Sequence, residues 1–216
     1  QLSSEMTVPD QTFGTPVNAA DHIIHITGYK FDSAEPETLT IGAEENVIKL
    51  YYVKDDDAKK NVTYTVNYYV DGVEQSEDQV VETEQVWVNA AAEIAIKAEI
   101  APVNKYYGYK LVEAANSFPE VGEKVASDSV YDVHYVARTD LTYTVKYLWT
   151  DGMGSGTAIE GVHDKVVENV TFGQEILEDP IEILGYTPVE TGKVERRMDK
   201  ESLTIVIPYY KNVTLT

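Results

Sequence analysis

The stretch Tyr64–Gly72, "YTVNYYVDG", decides how the rest of the chain is read. Tyr64, Val66, Tyr68 and Val70 alternate with Thr65, Asn67 and Tyr69. That period of two is the pattern of a strand with one face buried. Asp71-Gly72 then supplies a tight hairpin turn, because glycine accepts positive φ without a Cβ clash. The same wording returns 79 residues further on as "YTVKYLWTDG", Tyr143–Gly152, with Tyr143, Val145, Tyr147 and Trp149 on one face.

Other phrases repeat in step with it. "TGYKF" at Thr27–Phe31, "YGYKL" at Tyr107–Leu111 and "LGYTP" at Leu184–Pro188 each carry a Gly-Tyr pair. A tyrosine-rich strand follows each pair: "VIKLYYVK" at Val47–Lys54, "VYDVHYVA" at Val130–Ala137 and "TIVIPYYK" at Thr204–Lys211. "TFG" stands at Thr12–Gly14 and again at Thr171–Gly173, upstream of a Gly-Tyr pair both times. The order of parts is therefore an opening strand, an Asp-Gly turn, middle strands, a Gly-Tyr corner and a closing strand.

The period of about 75–80 residues is longer than that of a solenoid repeat and long enough for a small core in each copy. The expectation is a mostly β protein, with room for a small α+β element, built as β modules like beads on a string. The expected boundaries are 1–56 for a partial first repeat without its opening strand, 60–138 for the second and 140–211 for the third. Residues 212–216 begin a truncated fourth, since "KNVTLT" at Lys211–Thr216 echoes "KNVTYT" at Lys60–Thr65. On that reading the chain is an internal slice of a longer array, and the first repeat leans on the second for its core. Short polar linkers, "KDDDAKKN" at Lys54–Asn61 and "ARTD" at Ala137–Asp140, keep the copies semi-rigid.

One segment pulls two ways. "NAAAEIAIKAEIAPVNK", Asn89–Lys105, is rich in helix formers, yet Ile94, Ile96, Ala98 and Ile100 alternate as in a strand. Its counterparts "VNAADHIIHI" (Val17–Ile26) and "ILEDPIEI" (Ile176–Ile183) are shorter, and Pro180 interrupts the latter. A helical turn or irregular crossover beside a strand fits all three.

With these parts in place the sequence resembles the mucin-binding-protein (MucBP-like) and related β-grasp tandem repeats of Gram-positive bacterial surface proteins. The likeness rests on "YTVNYYVDG" and "YTVKYLWTDG", the three Gly-Tyr corners and the closing "NVIKLYYVKD" at Asn46–Asp55. It implies a compact β-grasp-like module, a secreted and wall-anchored parent, and an extracellular adhesin or stalk. Host mucin, glycan or extracellular-matrix protein are the implied partners, and each copy is a monomeric module within a longer chain. No ligand-binding residue transfers with the resemblance.

Charge and composition bound the chemistry. Seventeen basic against 37 acidic residues give a net charge of −20, the wrong sign for phosphate backbones or anionic membranes. There is no cysteine, hence no disulfide, thiolate nucleophile or zinc–thiolate site. No stretch has the length and apolar content of a membrane span. The recognisable motifs recur as scaffold, so the chain reads as non-catalytic and free of cofactors. Among the histidines, His22 and His25 fall on opposite faces of a strand and lack a third ligand at zinc spacing. Gly-rich "DGMGSG" at Asp151–Gly156 lacks the Lys-Ser/Thr of a phosphate loop.

Three features have a chemical reading beside the plain one. Asp55, Asp56 and Asp57 cluster oxygens as a Ca²⁺ site would, but without the ordered calcium loop, so a solvated linker is the default. Lys146 is a candidate for a Lys–Asn isopeptide crosslink, which needs a buried lysine. Sixteen tyrosines and two tryptophans, Trp87 and Trp149, invite carbohydrate stacking, although most sit on core faces. Tyr69 and Leu148, on the outer faces of the two opening strands, are the candidate ligand-binding residues. The Asn-Val-Thr sequons at Asn61, Asn169 and Asn212 matter only in a eukaryotic secretory host.

Overall fold

A computed structural model of the chain describes residues 1–112, 118–152 and 156–213. The tip of the "DGMGSG" turn (153–155) and the last letters of "KNVTLT" (214–216) lie outside the described residues. Strands dominate, and the helical pieces among the described residues are the 3₁₀ turns Ala19–His22 and Ser76–Asp78. The mostly β expectation holds. The chain divides into two compact units, one of Gln1–Thr65, Val81–Ala98 and Val121–Val130, the other of Val66–Val80, Glu99–Glu120 and Tyr131–Thr216.

In the first unit, the strand after the first Gly-Tyr corner, Tyr29–Glu35, pairs antiparallel with the closing strand Lys49–Lys54, Tyr29 opposite Lys54. A second small ladder joins Pro16–Asn18 to Thr38–Thr40. Of residues 1–56, Ala19 alone is a buried hydrophobic residue, so the first repeat has almost no interior of its own. Further along, Lys59–Thr65 runs beside the hairpin strand Val80–Trp87, and Glu93–Ala95 pairs with Lys124–Ala126. Val62, Tyr64, Ile94 and Ile96 form the buried face, and the Tyr64 hydroxyl accepts the Lys97 amide at 3.1 Å. The alternation from Ile94 breaks after Ile96: Ala98 is exposed. No helix forms across Asn89–Lys105; at Glu93–Ala95 pairing with Lys124–Ala126 outweighs the helix propensity of the Ala, Glu and Lys around it.

In the second unit, Val66–Val70 continues into the two-residue turn Asp71-Gly72, φ 48° and 80°, and returns as Val73–Glu74. Positive φ at both turn residues gives the mirror-image turn that matches strand twist. On the other side lies the closing strand Ser129–Ala137. Asn67 bonds Asp132, and four residues on Asp71 bonds the Tyr135 carbonyl, so the two strands run parallel. Tyr109–Leu111, after the second Gly-Tyr corner, pairs antiparallel outside it.

The third repeat has the same plan in full. Leu141–Trp149 runs parallel to the closing strand Ser202–Lys211, from Thr142↔Ser202 to Trp149↔Tyr209. It is antiparallel to Lys165–Val170 and Thr157–Ala158, and Tyr186–Pro188 flanks the closing strand. A hairpin followed by a crossover and a parallel central strand is the β-grasp order. The crossover carries the ladder Glu175–Glu178 with Val194–Arg197 in place of a helix. The core between them is Leu141, Tyr143, Val145, Tyr147, Ile159, Val170, Ile176, Met198, Ile205, Ile207 and Tyr209. Each large side chain buried there stabilises the fold by about 1.5–3 kcal/mol.

Candidate functional site

The Gly-Tyr corner is built the same way three times. Gly28, Gly108 and Gly185 have φ of 82°, 81° and 82°, a conformation that a side chain disfavours. The tyrosine amide that follows donates to the carbonyl three residues back: Tyr29 to Ile26 at 3.0 Å, Tyr109 to Tyr106 at 3.2 Å, Tyr186 to Ile183 at 3.0 Å. Each glycine carbonyl then accepts the amide just beyond its closing strand, from Asp55 (2.9 Å), Arg138 (3.0 Å) and Asn212 (2.8 Å). The chain therefore leaves every repeat directly over its corner.

A second element meets the corner from the following repeat. Thr171-Phe172-Gly173-Gln174 closes a turn with the Gln174 amide on the Thr171 carbonyl (3.1 Å). Trp87-Val88-Asn89-Ala90 closes likewise, Ala90 on Trp87 at 2.8 Å. At the first seam, wholly within the first unit, the Val88 amide donates to the Ala58 carbonyl (2.8 Å). The Trp87 indole donates to the Gly28 carbonyl (3.1 Å), and the Asn89 amide group donates to the Thr27 carbonyl (2.7 Å). The Tyr29 and Trp87 rings meet edge to face at 5.5 Å.

The second seam, wholly within the second unit, repeats this with Phe172. Its amide donates to the Arg138 carbonyl (2.8 Å), and its ring takes the edges of Tyr107 (5.7 Å) and Tyr109 (5.6 Å). A Cβ added to Gly108 would stand 2.4 Å from the Phe172 ring. One on Gly28 would stand 2.6 Å from Asn89 and 3.0 Å from Trp87. Both glycines thus serve twice, for the left-handed turn and for the close approach of the next repeat. Aromatic pairs of this geometry contribute about 0.5–1.5 kcal/mol each beyond area burial. Arg138, at the root of the seam, holds Asp140 (3.0 Å) and Glu201 (2.7 Å). Those two carboxylates raise its already high pKa further.

The third repeat has an open cavity of about 440 Å³ beside its corner, between Ile159–His163 and Ile181–Tyr186. In the second repeat Tyr106 stands where Ile183 does. Its hydroxyl donates to Asp78 (2.6 Å), and its ring meets Tyr135 edge to face. Elsewhere in the third repeat Glu178 is buried, accepting from Tyr143 (2.5 Å) and from the Lys165 ammonium (2.8 and 2.9 Å). A buried carboxylate held in that way is a structural ion pair with its acceptors used.

The residues singled out from sequence fall as follows. Tyr69 is half-buried and stacks face to face on the exposed His134 at 4.7 Å. Its phenol is pushed up by desolvation, then by Asp132 and Glu74. Leu148, also half-buried, lies opposite Ala158 and Pro208, so a proline and not an aromatic ring stands where His134 does. Asp56 is held by Lys54 (2.8 Å), which lowers its pKa, and the Asp57 amide donates to Asp55. Among the described residues no group of three His, Asp or Glu gathers to hold a metal ion. Lys146 is 43% exposed and pairs with Asp164 at 2.8 Å. The buried lysine that an isopeptide crosslink needs is therefore not Lys146. Sequence reading missed the seams, although the repeated Thr-Phe-Gly pointed to one of their halves.

No protein-family model and no curated protein sequence matches the chain. Among solved structures, the crystal structure of Mub-RV is similar at 13% identity, over 70% of this chain and 100% of that one, with a TM-score of 0.22. The type 2 repeat of the mucus binding protein MUB from Lactobacillus reuteri is similar at 16% identity, with the same coverages and a TM-score of 0.20. At these TM-scores the likeness carries no argument about this chain. No helix among the described residues is long and apolar enough to cross a membrane.

Proposed function

We propose that the chain is a non-catalytic segment of a secreted, wall-anchored bacterial surface protein, whose repeats form a serial spacer that carries adhesive faces. The repeated seam supports this reading: the same turn seats on the same corner at both internal joints. A chain that needs only flexible tethering between modules has no use for two matching joints. Hydrogen exchange on the full chain tests it. The Val88 and Phe172 amides, whose acceptors belong to the preceding linker, are expected to exchange at least ~100-fold more slowly than unprotected amides. Free exchange at both would remove the spacer reading.

The adhesive part rests on a separate observation, the stacked Tyr69–His134 pair. Beside it the Asn67 side chain bonds Asp132. A flat aromatic pair rimmed by carboxylate and amide groups suits a sugar ring, which offers C–H faces to the aromatic and hydroxyls to the rim. Glycans and mucin are thus the ligand class, with weak sites gaining strength by repetition. On a mucin and glycan array, binding is expected to fall several-fold in Tyr69→Ala and to change little in Leu148→Ala. Uniform non-binding by the native chain would leave a spacer without a ligand.

A further inference from the structure

The polar groups around the stacked Tyr69–His134 pair make one common demand on a ligand. Tyr69 lies directly across the Asp71-Gly72 hairpin from Glu74, and its ring stacks on His134 at 4.7 Å with an interplanar angle of 17°. Two residues back along the strand, the hydrogen bonds run in one direction. The Gln79 amide group donates to the Asn67 side-chain oxygen (2.8 Å), and the Asn67 amide group donates to Oδ1 of Asp132 (2.8 Å). That relay ends on a carboxylate. Glu74, Asp132 and His134 are exposed. Among the described residues neither Glu74 nor Asp132 has a lysine, arginine or histidine nitrogen within salt-bridge distance. Asp132 and Glu74 are also the charges that act on the Tyr69 phenol, so both stand beside the ring. The third repeat is different at the matching places. Lys146 and Asp164 form an ion pair there (2.8 Å), and its closing strand has Val206 for Asp132 and Pro208 for His134.

From this arrangement we infer that the Tyr69–His134 face is a site for uncharged glycans and turns away acidic ones, those that end in a sialic acid or carry a sulfate ester. The inference rests on the glycan reading above and names which glycans. Two physical effects point the same way. An ionised carboxylate only accepts hydrogen bonds, so Glu74 and Oδ2 of Asp132 need donors. Sugar hydroxyls donate, and their bonds to a carboxylate are about twice as strong as neutral ones. The acid group of an acidic sugar can only accept. Charge acts in the same direction. A ligand acid held about 6 Å from both carboxylates loses about tenfold in affinity in water without salt, and about threefold at ~0.15 M salt. The net charge of −20 adds a repulsion that is not local to the site.

The test compares binding of the full chain to immobilised mucin before and after removal of its sialic acid and sulfate. It is run at about pH 8, where free imidazole is uncharged, in about 0.02 M and about 1 M salt. Binding lost in Tyr69→Ala is scored as binding at this site. At low salt the native chain is expected to bind the stripped mucin at least about fivefold more tightly. That preference shrinks at high salt. Glu74→Gln combined with Asp132→Asn is expected to bring the low-salt ratio below about twofold. Glu190→Gln combined with Glu195→Gln removes as much charge from exposed positions of the third repeat, reads the net-charge repulsion alone, and is expected to leave the ratio nearly unchanged. A ratio that falls as far in that variant would put the discrimination in the net charge and overturn the inference. Equal or tighter binding to untreated mucin, lost in Tyr69→Ala, would also overturn it while leaving the glycan reading intact. No Tyr69-dependent binding to either mucin would remove the glycan reading and the inference with it.

Discussion

Raising the pH from about 10 to about 12 is expected to take roughly 4 kcal/mol from the second unit, a large share of an ordinary domain's stability. Two phenols supply most of it. Tyr135 is fully buried and donates to the Pro102 carbonyl at 2.5 Å. Burial first, then Tyr68 and Glu99, push its pKa up to about 12. Tyr143 is likewise pushed up to about 12, by burial first and then by its hydrogen bond to the Glu178 carboxylate. Tyr106 is raised as well, by burial and then by Asp78.

The direction of the effect follows from linkage. A phenol titrates near 10 when unfolded, and the native state keeps these two protonated up to about 12. The stabilisation they represent is complete below pH ~10. It is lost as pH rises through ~12, each group contributing about 1.4 kcal/mol for every tenfold by which folding tightens its hold on the proton. Alkaline titration should show the phenolate absorbance of these residues emerging together with the loss of the β circular dichroism. Tyr143→Phe should move that transition upward in pH, because one ionisation no longer favours the unfolded chain. Phenolate formation complete while the dichroism is still native would mean that these hydroxyls are not held by the core.

Much of this was legible in the chain because it depends on short-range pattern. The alternation in "YTVNYYVDG" put Tyr64, Val66 and Tyr68 on the core face, and all three are buried. Asp71-Gly72 marked a hairpin turn, and the recurrence of Gly-Tyr located three corners whose φ values agree to within a degree. What sequence did not reveal depends on pairing between distant segments. Trp87 and Gly28 are 59 residues apart, and nothing local to either says that one covers the other. Glu178 sits in "ILEDPIEI", which reads as a helical turn or irregular crossover beside a strand, and its burial depends on Tyr143 and Lys165 from two other strands. The alternation sets Tyr69 off the core face, but its stacking on His134 depends on the register of the closing strand.

Gly108→Ala should cost about 2–4 kcal/mol, and Gly185→Ala no more than about 1–2. The two glycines have nearly the same φ, 81° and 82°, so the penalty for placing a side chain in the left-handed region is common to both. They differ in what the new methyl group meets. At Gly185 there is open space, whereas at Gly108 the Phe172 ring is 2.4 Å away. The ring must move, giving up the edges of Tyr107 and Tyr109, each worth about 0.5–1.5 kcal/mol. Chemical denaturation of the two single variants reads the seam as a difference in midpoint. A double-mutant cycle with Phe172→Ala isolates it further: once the ring is gone, Gly108→Ala should cost no more than Gly185→Ala. Equal costs for the two glycine variants in the native background would mean that the second seam is open in solution. The spacer would then lose its joint while each repeat kept its fold.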